Sequence, residues 1–454
     1  MGIFNKIKTA VSPTNAALVR AASDFIYATE KGRRERESEF AKAFSFVFDG
    51  NQWDAAEKLE REDSPVLTLN LSEDYTDKYL GKLFPINPRT QVLEIGVKTY
   101  EVDKAKRSKY EQEIIDVYKR SNLSAILLEQ GQNFLVGGSA VLYYPQDPTT
   151  KRAMIRSVDP TRCSFLFDAD GLAAAAHTEE FYNDRMTLTI RTTFWTRESY
   201  VVIEDDAVKA QGDNAMHIVP YSFIPNRPKP HGMNGRPKLR SVRGLEQDLN
   251  RRTSDWSKRV GDNTDPHLVY MSDLVKDESA VKRGRKKVTR LEKGADAKYL
   301  TVPDAEDIAA YVSDIRDAIK TKLCLVDSAG TIKSAVSGVS LAYQYNDMLD
   351  AVAYMRVFWD EGFRALNRAI LTYRFGATDG DYHTDPVYHP ALPQDTKAKV
   401  EEMKMMVDAS LISRRDAIEE LRGGEDADMK LAEILKEREQ FNLSDLVENK
   451  KEQL

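Results

Sequence analysis

The longest hydrophobic pattern in the chain predicts two helices between residues 304 and 373. The first is predicted to follow Pro303, with Asp304 at the N-cap position and acidic residues in its first turn, where the helix dipole favours them. Its apolar residues follow one another at spacings of three and four, which places them on one face. These residues are Ile308, Val312, Ile315, Ile319 and Leu323.

The second helix is unusually long. Its stripe runs for about 34 residues without a proline, which corresponds to a rod of roughly 50 Å. The stripe consists of Tyr345, Met348, Val352, Met355, Trp359, Phe363, Leu366, Ile370 and Tyr373. A polar segment from Asp327 to Gly338 separates the two helices and reads DSAGTIKSAVSG. Small residues and glycine permit backbone conformations that other residues resist, so this segment is predicted to bend or shift.

Another helix pattern precedes this region, and together the two patterns indicate a pair of helices that flank a small insert. Helices are predicted over 241–262 and 304–325, and the intervening residues contain two short strands, HLVYM and AKYLTV. The apolar residues of the earlier helix are outnumbered by charged ones, so it is predicted to be largely exposed. A chain that leaves along one helix and returns along another forms a stalk with a small tip.

The N-terminal half mixes helices and strands. A helix is predicted over 14–31, with Gly32 as its stop, and a short strand leading into a helix over 64–81. A further helix is predicted from Tyr100 to Gln130, followed by a strand within 137–148. Residues 151–225 show the period-two alternation of strands, and the proline- and glycine-rich segment 226–239 is the clearest boundary.

The C-terminal part is predicted to be helical after a loop and strand over 381–396. Helices are predicted over 395–410 and 413–422, the latter opened by a capping box of Ser413 and Asp416. The remaining residues to Leu454 form an acidic and mostly helical tail. Together these patterns predict an α+β protein.

Composition argues against a membrane-spanning protein and against a protein that binds nucleic acid tightly. The chain has 454 residues, 41% hydrophobic and 30% charged, and lacks an apolar run long enough to span a membrane. Its net charge of −6 argues against tight, counterion-driven binding to nucleic acid. The N-terminus does not read as a signal peptide, and the two distant cysteines fit a reducing compartment.

Catalytic motifs with specific spacing are missing. The sequence has no phosphate-binding loop, no G-x-S-x-G and no H-E-x-x-H, so no catalytic residue, metal or cofactor is predicted. One alternative remains open, a metal-dependent enzyme that processes nucleic acid. It rests on a group of potential ligands, for which a polar loop before a strand is the competing explanation. The group comprises Asp379, Asp381, His383, Asp385 and His389.

A dense basic run lies within the insert between the two stalk helices. It suggests docking onto a negatively charged partner, or else a solvated loop. A monomeric module that binds DNA through this run is a further hypothesis, which the acidic balance disfavours. The run comprises Lys282, Arg283, Arg285, Lys286, Lys287 and Arg290.

Several segments, taken in order, resemble the portal proteins of tailed bacteriophages. The N-terminal ones read FVFDGNQWD and SPVLTLNLSEDYTDKYLG, and the strand-rich one reads GGSAVLYY. The approach to the first stalk helix reads GRPKLRSVRGLEQDLNRRTSDWS, where Pro237 and Lys238 stand in place of the family's usual small residue. The entry to the long helix reads SAVSGVSLAYQYNDML, with Ser340 in place of alanine. The C-terminal ones read HPALPQDTKAKVEEM and LISRRDAIEEL.

The resemblance implies a ring, usually of twelve subunits, at one capsid vertex, through which a separate terminase pumps double-stranded DNA. It also implies a domain plan of wing, stem, clip and tunnel loop. The expected ranges are 1–240 for the wing, 241–265 and 304–326 for the stem helices, 266–303 for the clip, 327–339 for the tunnel loop, 340–395 for the long wing helix and return strand, and 396–454 for a crown-like helical region.

The expected sites and partners follow from that plan. The tunnel loop would present Thr331, Lys333, Ser334 and Ser337 to DNA in the channel, and the basic run of the clip would dock partners. The implied partners are other copies of the chain, the terminase large subunit, head-completion or adaptor proteins, and the major capsid and scaffolding proteins, with no membrane. The implied location is the virion, after assembly in the host cytoplasm.

Overall fold

The fold combines long helices with antiparallel sheets. It was analysed in a computed structural model, which describes the chain apart from residues 1–14, 62–63, 88–91, 146–152, 183–185, 206, 231–232, 265–266, 272–295, 301–305, 326–337, 378–381, 392–395, 423–429 and 437–454. The main described helices are α1 (Asn15–Val47), α2 (Ala55–Glu60), α3 (Leu71–Leu83), α4 (Lys104–Arg120), α5 (Leu123–Gln132), α6 (Arg243–Thr264), α7 (Glu306–Lys322), α8 (Gly338–Phe375), α9 (Thr396–Asp408) and α10 (Arg414–Arg422). Of these, none is long and apolar enough to cross a membrane.

All the sheets among the described residues are antiparallel. Five strands form one sheet in the order β4-β5-β6-β7-β8, three form β3-β2-β9, and two pairs form β1-β12 and β10-β11. The strands are β1 (Gly96–Tyr100), β2 (Ser139–Tyr143), β3 (Arg156–Ser157), β4 (Cys163–Asp168), β5 (Gly171–Tyr182), β6 (Leu188–Thr196), β7 (Ser199–Glu204), β8 (Ala207–Asp213), β9 (Tyr221–Pro225), β10 (His267–Met271), β11 (Asp296–Leu300) and β12 (His383–Val387).

The chain divides into two compact units. The first contains residues 1–330 and 345–391, and the second contains 331–344 and 392–454. In the second unit, α9 packs against α10. The predicted capping box opens α10, because the N–H of Asp416 donates to the Ser413 hydroxyl over 3.1 Å and its carboxylate faces the N–H of Ser413.

The main core of the first unit is built on the apolar stripe of α8. Met355, Trp359 and Phe363 are fully buried, and the Trp359 ring packs edge-on against Phe84, the residue that follows α3, at 4.7 Å. Val312, Ile315 and Ile319 of α7, and Leu323 directly after it, are buried in the same cluster. The helical spacing therefore predicted both buried faces correctly, because on a helix of 3.6 residues per turn such positions form one stripe.

Two predicted helix boundaries and one predicted strand were wrong. Helix α1 continues through Gly32 to Val47, and the ion pair from Arg34 to Glu30, at 2.7 Å, spans the glycine. The helix predicted from Tyr100 to Gln130 begins only at Lys104 and is broken at Asn122, whose φ of 51° is left-handed. Residues 65–70 form no strand, because their backbone bonds to side chains of α6 rather than to a sheet.

Candidate functional site

Helices α6 and α7, which correspond to the two helices predicted to form a stalk, pack against each other. The strands that follow α6 and precede α7 pair antiparallel, with His267 opposite Leu300 and Met271 opposite Asp296. This pairing brings the chain back toward its point of departure. The hydroxyl of Tyr311 in α7 then donates to the carboxylate of Asp248 in α6 over 3.0 Å, so the two helices contact each other at this point.

The residues predicted to contact DNA and partners lie outside the described residues. This holds for Thr331, Lys333, Ser334 and Ser337 of the predicted tunnel loop. It also holds for the basic run, which comprises Lys282, Arg283, Arg285, Lys286, Lys287 and Arg290. Their assignments stay predictions, and the site described here is the helical frame that carries these two segments.

One face of α6 binds the backbone of the extended segment before α3. Three polar residues four positions apart accept hydrogen bonds from N–H groups of that segment and of the first turn of α3. Ser254 accepts from Leu67 over 2.9 Å, Asn250 from Leu69 over 3.1 Å, and Glu246 from Ser72 over 2.9 Å. We call these three side chains the α6 polar ladder. Because they are buried, α6 is not the largely exposed helix that its charge content predicted.

Glu246 is the most constrained member of this ladder. Its carboxylate is fully buried and also accepts hydrogen bonds from the Ser72 hydroxyl and from Nε2 of Gln52, the latter over 3.3 Å. Burial raises the pKa of Glu246, because it disfavours the charged form, and the hydrogen bonds from Ser72 and Gln52 oppose that shift. The carboxylate of Glu246 lies at the N-terminus of α3, where the first N–H groups of the helix have no partner within the helix and favour a negative charge.

A second set of contacts fixes α2 to α6. Arg251 pairs with Glu57 at 2.5 Å, and Arg61 pairs with Asp255 at 2.9 Å. The hydrogen bond from Arg251 lowers the pKa of Glu57. Helix α6 therefore holds this part of the chain in two ways, through the buried α6 polar ladder and through the two ion pairs at its surface.

Helix α3 also reaches the end of α7. The hydroxyl of Tyr79 donates to the carbonyl oxygen of Leu323, and Nζ of Lys238 lies 4.9 Å from the Tyr79 ring. Among the described residues, Leu323 is the last buried one before the predicted tunnel loop. A single helix thus contacts both stalk helices, at Glu246 and at Leu323.

Comparison with known proteins identifies the family. The family model described as phage portal protein, SPP1 Gp6-like, matches residues 95–442, which is more than half of the chain. The chain belongs to this portal protein family. No curated protein matches the portal chain.

Solved structures similar to the portal chain come from gene transfer agent (GTA) particles. The neck of an empty GTA particle, computed with C6 symmetry, gives a TM-score of 0.48 at 13% identity. The virion of a native particle gives 0.46 at 14%, and the neck of a native particle, computed with C12 symmetry, gives 0.46 at 13%. Each match covers 84% of this chain and 93% of the other.

The structure of this chain also shows where the residues proposed for a metal-dependent enzyme lie. Of its five proposed ligands, Asp379 and Asp381 lie outside the described residues. Asp385 receives a hydrogen bond from Arg364 over 2.8 Å and lies 3.1 Å from His383. Burial opposes ionisation of Asp385, but the hydrogen bonds and charges of Arg364 and His383 outweigh it and lower its pKa.

The carboxylate of Asp385 is therefore engaged by side chains of the portal chain itself. Among the described residues, no group of three or more acidic, histidine or cysteine side chains is arranged to hold a metal ion. An arginine partner is also unfavourable for a metal site, because its positive charge competes with the cation.

Proposed function

We propose that this portal protein assembles into a ring at one vertex of a capsid and forms the channel through which double-stranded DNA is packaged and later ejected. The observation that carries the proposal is the family match over residues 95–442, which spans the stalk, the predicted tunnel loop and the long helix α8. The packing of α6 against α7 and the paired strands β10 and β11 support the same plan.

The ring is proposed to contain twelve copies. Its tunnel loop, residues 327–339, lines the narrowest part of the channel, with Thr331, Lys333, Ser334 and Ser337 nearest to DNA and α8 behind them. Small polar side chains suit this role, because each additional phosphate contact adds affinity and slows the DNA. One lysine per subunit becomes a ring of positive charge once the chain is repeated around an axis.

The basic run of the clip is proposed to dock other proteins of the particle. Lysine and arginine at this density attract negatively charged surfaces and raise association rates. The terminase large subunit binds there during packaging, and head-completion or adaptor proteins bind there afterwards. The wing is proposed to contact the major capsid and scaffolding proteins, and the assembled ring remains in the virion after its assembly in the host cytoplasm.

The role is structural, without catalysis by this chain. Translocation requires ATP hydrolysis, for which the sequence has no phosphate-binding loop, so the motor is assigned to terminase. The engagement of Asp385 by Arg364 supports this assignment.

The test is the mass and symmetry of the purified full-length chain, by native mass spectrometry and negative-stain imaging. We expect closed rings of about twelve copies with a central hole. Because rings of some proteins need assistance to close, the same measurement is made with the chain co-expressed with its scaffolding protein. Monomers or dimers under both conditions would contradict the proposal.

A further inference from the structure

A basic cleft lies beside α1. Its volume is about 1020 Å³, and it is formed by α1 and by the connector that leads into α6. Six basic and three acidic side chains line it, an excess of three positive charges in a chain whose net charge is −6. The basic ones are Lys31, Arg34, Arg36, Lys229, Arg236 and Arg240, and the acidic ones are Glu30, Glu35 and Glu39.

The side chains of the cleft differ in how far they are neutralised. Arg34 pairs with Glu30 at 2.7 Å, and Arg240 lies 3.7 Å from Glu39. Lys31, Lys229 and Arg236 are exposed to solvent at its walls. The surplus of positive charge therefore resides largely on these three, which a negatively charged partner can reach. We call this feature the α1 cleft.

The outer side of α7 carries charge of the opposite sign. Asp307, Asp314 and Asp317 are exposed, together with the small residues Ala310 and Thr321. Asp317 also lies 3.4 Å from Nζ of Lys320, so the unneutralised acidic charge resides mainly on Asp307 and Asp314. At 100° per residue, Asp317 lies about 200° around the helix from the buried Ile315, so these residues face away from the core. The two small residues leave the aspartates accessible to a neighbouring surface. We call this feature the α7 acidic face.

The two surfaces lie on opposite sides of α6. Arg243 lies 5.9 Å from the ring of Phe46 in α1, and Arg252 lies 5.8 Å from the ring of Tyr311 in α7. These arginines are nine residues apart, so they point in opposite directions at 100° per residue. Helices α1 and α7 therefore flank α6 on its two sides.

The two surfaces also lie at a similar height along α6. Tyr311 contacts Asp248, and α7 runs antiparallel to α6, so the residues after Tyr311 approach the beginning of α6. Asp314 and Asp317 thus stand beside the first turns of α6, which directly follow Arg240 of the cleft. The α7 acidic face and the α1 cleft can then meet through rotation about an axis, without a shift along it.

We propose that the α7 acidic face of one copy docks against the α1 cleft of the next copy. This inference rests on the proposed ring and specifies the pair of surfaces that joins its subunits. Two different surfaces of one chain that bind each other make a head-to-tail contact, which closes into a ring when the rotation permits. Opposite charge fixes the order of the two partners and disfavours contact between identical surfaces.

The test reverses each surface in the full-length chain. One variant carries Asp307→Lys, Asp314→Lys and Asp317→Lys, and the other carries Lys31→Glu, Lys229→Glu and Arg236→Glu. Like charges then oppose each other around the ring. We expect each variant alone to need at least about tenfold more chain than the wild type for half-maximal ring assembly, measured by native mass spectrometry.

Mixing the two variants is the decisive measurement. In an equimolar mixture every contact can again join opposite charges, so we expect rings at near wild-type concentration that contain equal numbers of the two chains. A chain with all six substitutions should also assemble. Raising the salt concentration should weaken these rescued rings, because screening reduces attraction between exposed charges.

The matched control reverses three exposed acids that lie away from helix N-termini, with Asp77→Lys in α3, Asp116→Lys in α4 and Glu129→Lys in α5. We expect it to assemble like the wild type, and circular dichroism should show that all the chains fold. Wild-type rings with unaffected single-surface variants, or a mixture that does not rescue assembly, would overturn this contact and leave the proposed ring intact. A cleft-reversed variant that forms normal rings but loses binding to a DNA duplex would assign the cleft to DNA instead. A wild type that forms no rings under any condition would contradict the ring and this contact with it.

Discussion

Glu246 accepts hydrogen bonds from both the backbone N–H and the hydroxyl of Ser72, a residue in the first turn of α3. A carboxylate from α6 thus performs the task that an N-cap side chain usually performs within its own helix. Asn70, which occupies the N-cap position of α3, makes no such bond from its side chain. The start of α3 is therefore fixed by a residue 174 positions away in sequence.

The first prediction concerns the pH dependence of stability. Because burial raises the pKa of Glu246, the folded state binds its proton more tightly than the unfolded state does. The free energy of unfolding of the wild type, relative to Glu246→Gln, should therefore be highest below the ordinary glutamate pKa of 4.5 and should fall as the pH rises through the raised value. Urea unfolding at a series of pH values measures this difference.

Two further variants control the experiment. Glu246→Ala leaves the N–H of Ser72 without its acceptor, so we expect a loss of roughly 2–4 kcal/mol. Glu129→Gln, at an exposed position of α5, should change stability by less than about 0.5 kcal/mol. A difference between the wild type and Glu246→Gln that is constant with pH would refute the assignment.

The second prediction compares two glycines, one within α1 and one packed against α1. A Cβ at Gly32 meets no atom within 4 Å, and this residue lies inside α1. Gly32→Ala should therefore stabilise the protein by roughly 0.5–1 kcal/mol, because alanine favours the helix. A Cβ at Gly137 lies 2.3 Å from the Phe40 ring, so Gly137→Ala should destabilise by about 1–3 kcal/mol. In thermal unfolding, we expect the midpoint temperature to rise for Gly32→Ala and to fall for Gly137→Ala. Shifts of the same sign would contradict the prediction.

The third prediction concerns the tunnel loop. Deletion of residues 329–336 should leave rings intact but block DNA packaging, because in the proposed ring other surfaces hold the subunits together while the loop contacts DNA. Ring formation is measured by native mass spectrometry, and packaging by protection of DNA from nuclease. Rings that fail to form would show that the loop belongs to a contact between subunits.

The fourth prediction concerns catalysis. Double-stranded DNA incubated with the chain and Mg²⁺ or Mn²⁺ should stay intact, since Arg364 and His383 already engage Asp385. Asp381→Ala and His383→Ala serve as comparisons on an agarose gel. Metal-dependent cleavage by the wild type that either substitution abolishes would revive the enzyme hypothesis.

The sequence predicted those features that depend on local periodicity or local bonding. The stripe through Met355, Trp359 and Phe363 follows from the helical repeat alone, and the capping box of Ser413 and Asp416 is a contact over three residues. Both are decided within a few turns of helix, so neighbouring residues carry enough information.

The features that sequence reasoning missed depend on distant partners. Glu246, Asn250 and Ser254 are polar residues on a charged helix, and such positions usually face solvent. They are buried here because an extended segment about 180 residues earlier presents unpaired N–H groups to them. Their spacing of four residues was the available signal, but nothing local distinguishes an accepting ladder from an exposed face.

The contacts of α3 with Glu246 and Leu323 have a mechanical consequence. A displacement of α7 along α6 by one helical turn, about 5.4 Å, would pull Tyr79 away from the Leu323 carbonyl while Glu246 holds the other end of α3 in place. Sliding therefore costs the buried hydrogen bond of Tyr79 at one end of α3, whereas tilting α6, α7 and α3 together keeps the contacts at both ends. The two contacts of α3 therefore favour movements in which α6, α7 and α3 tilt as one unit over movements in which α7 slides along α6.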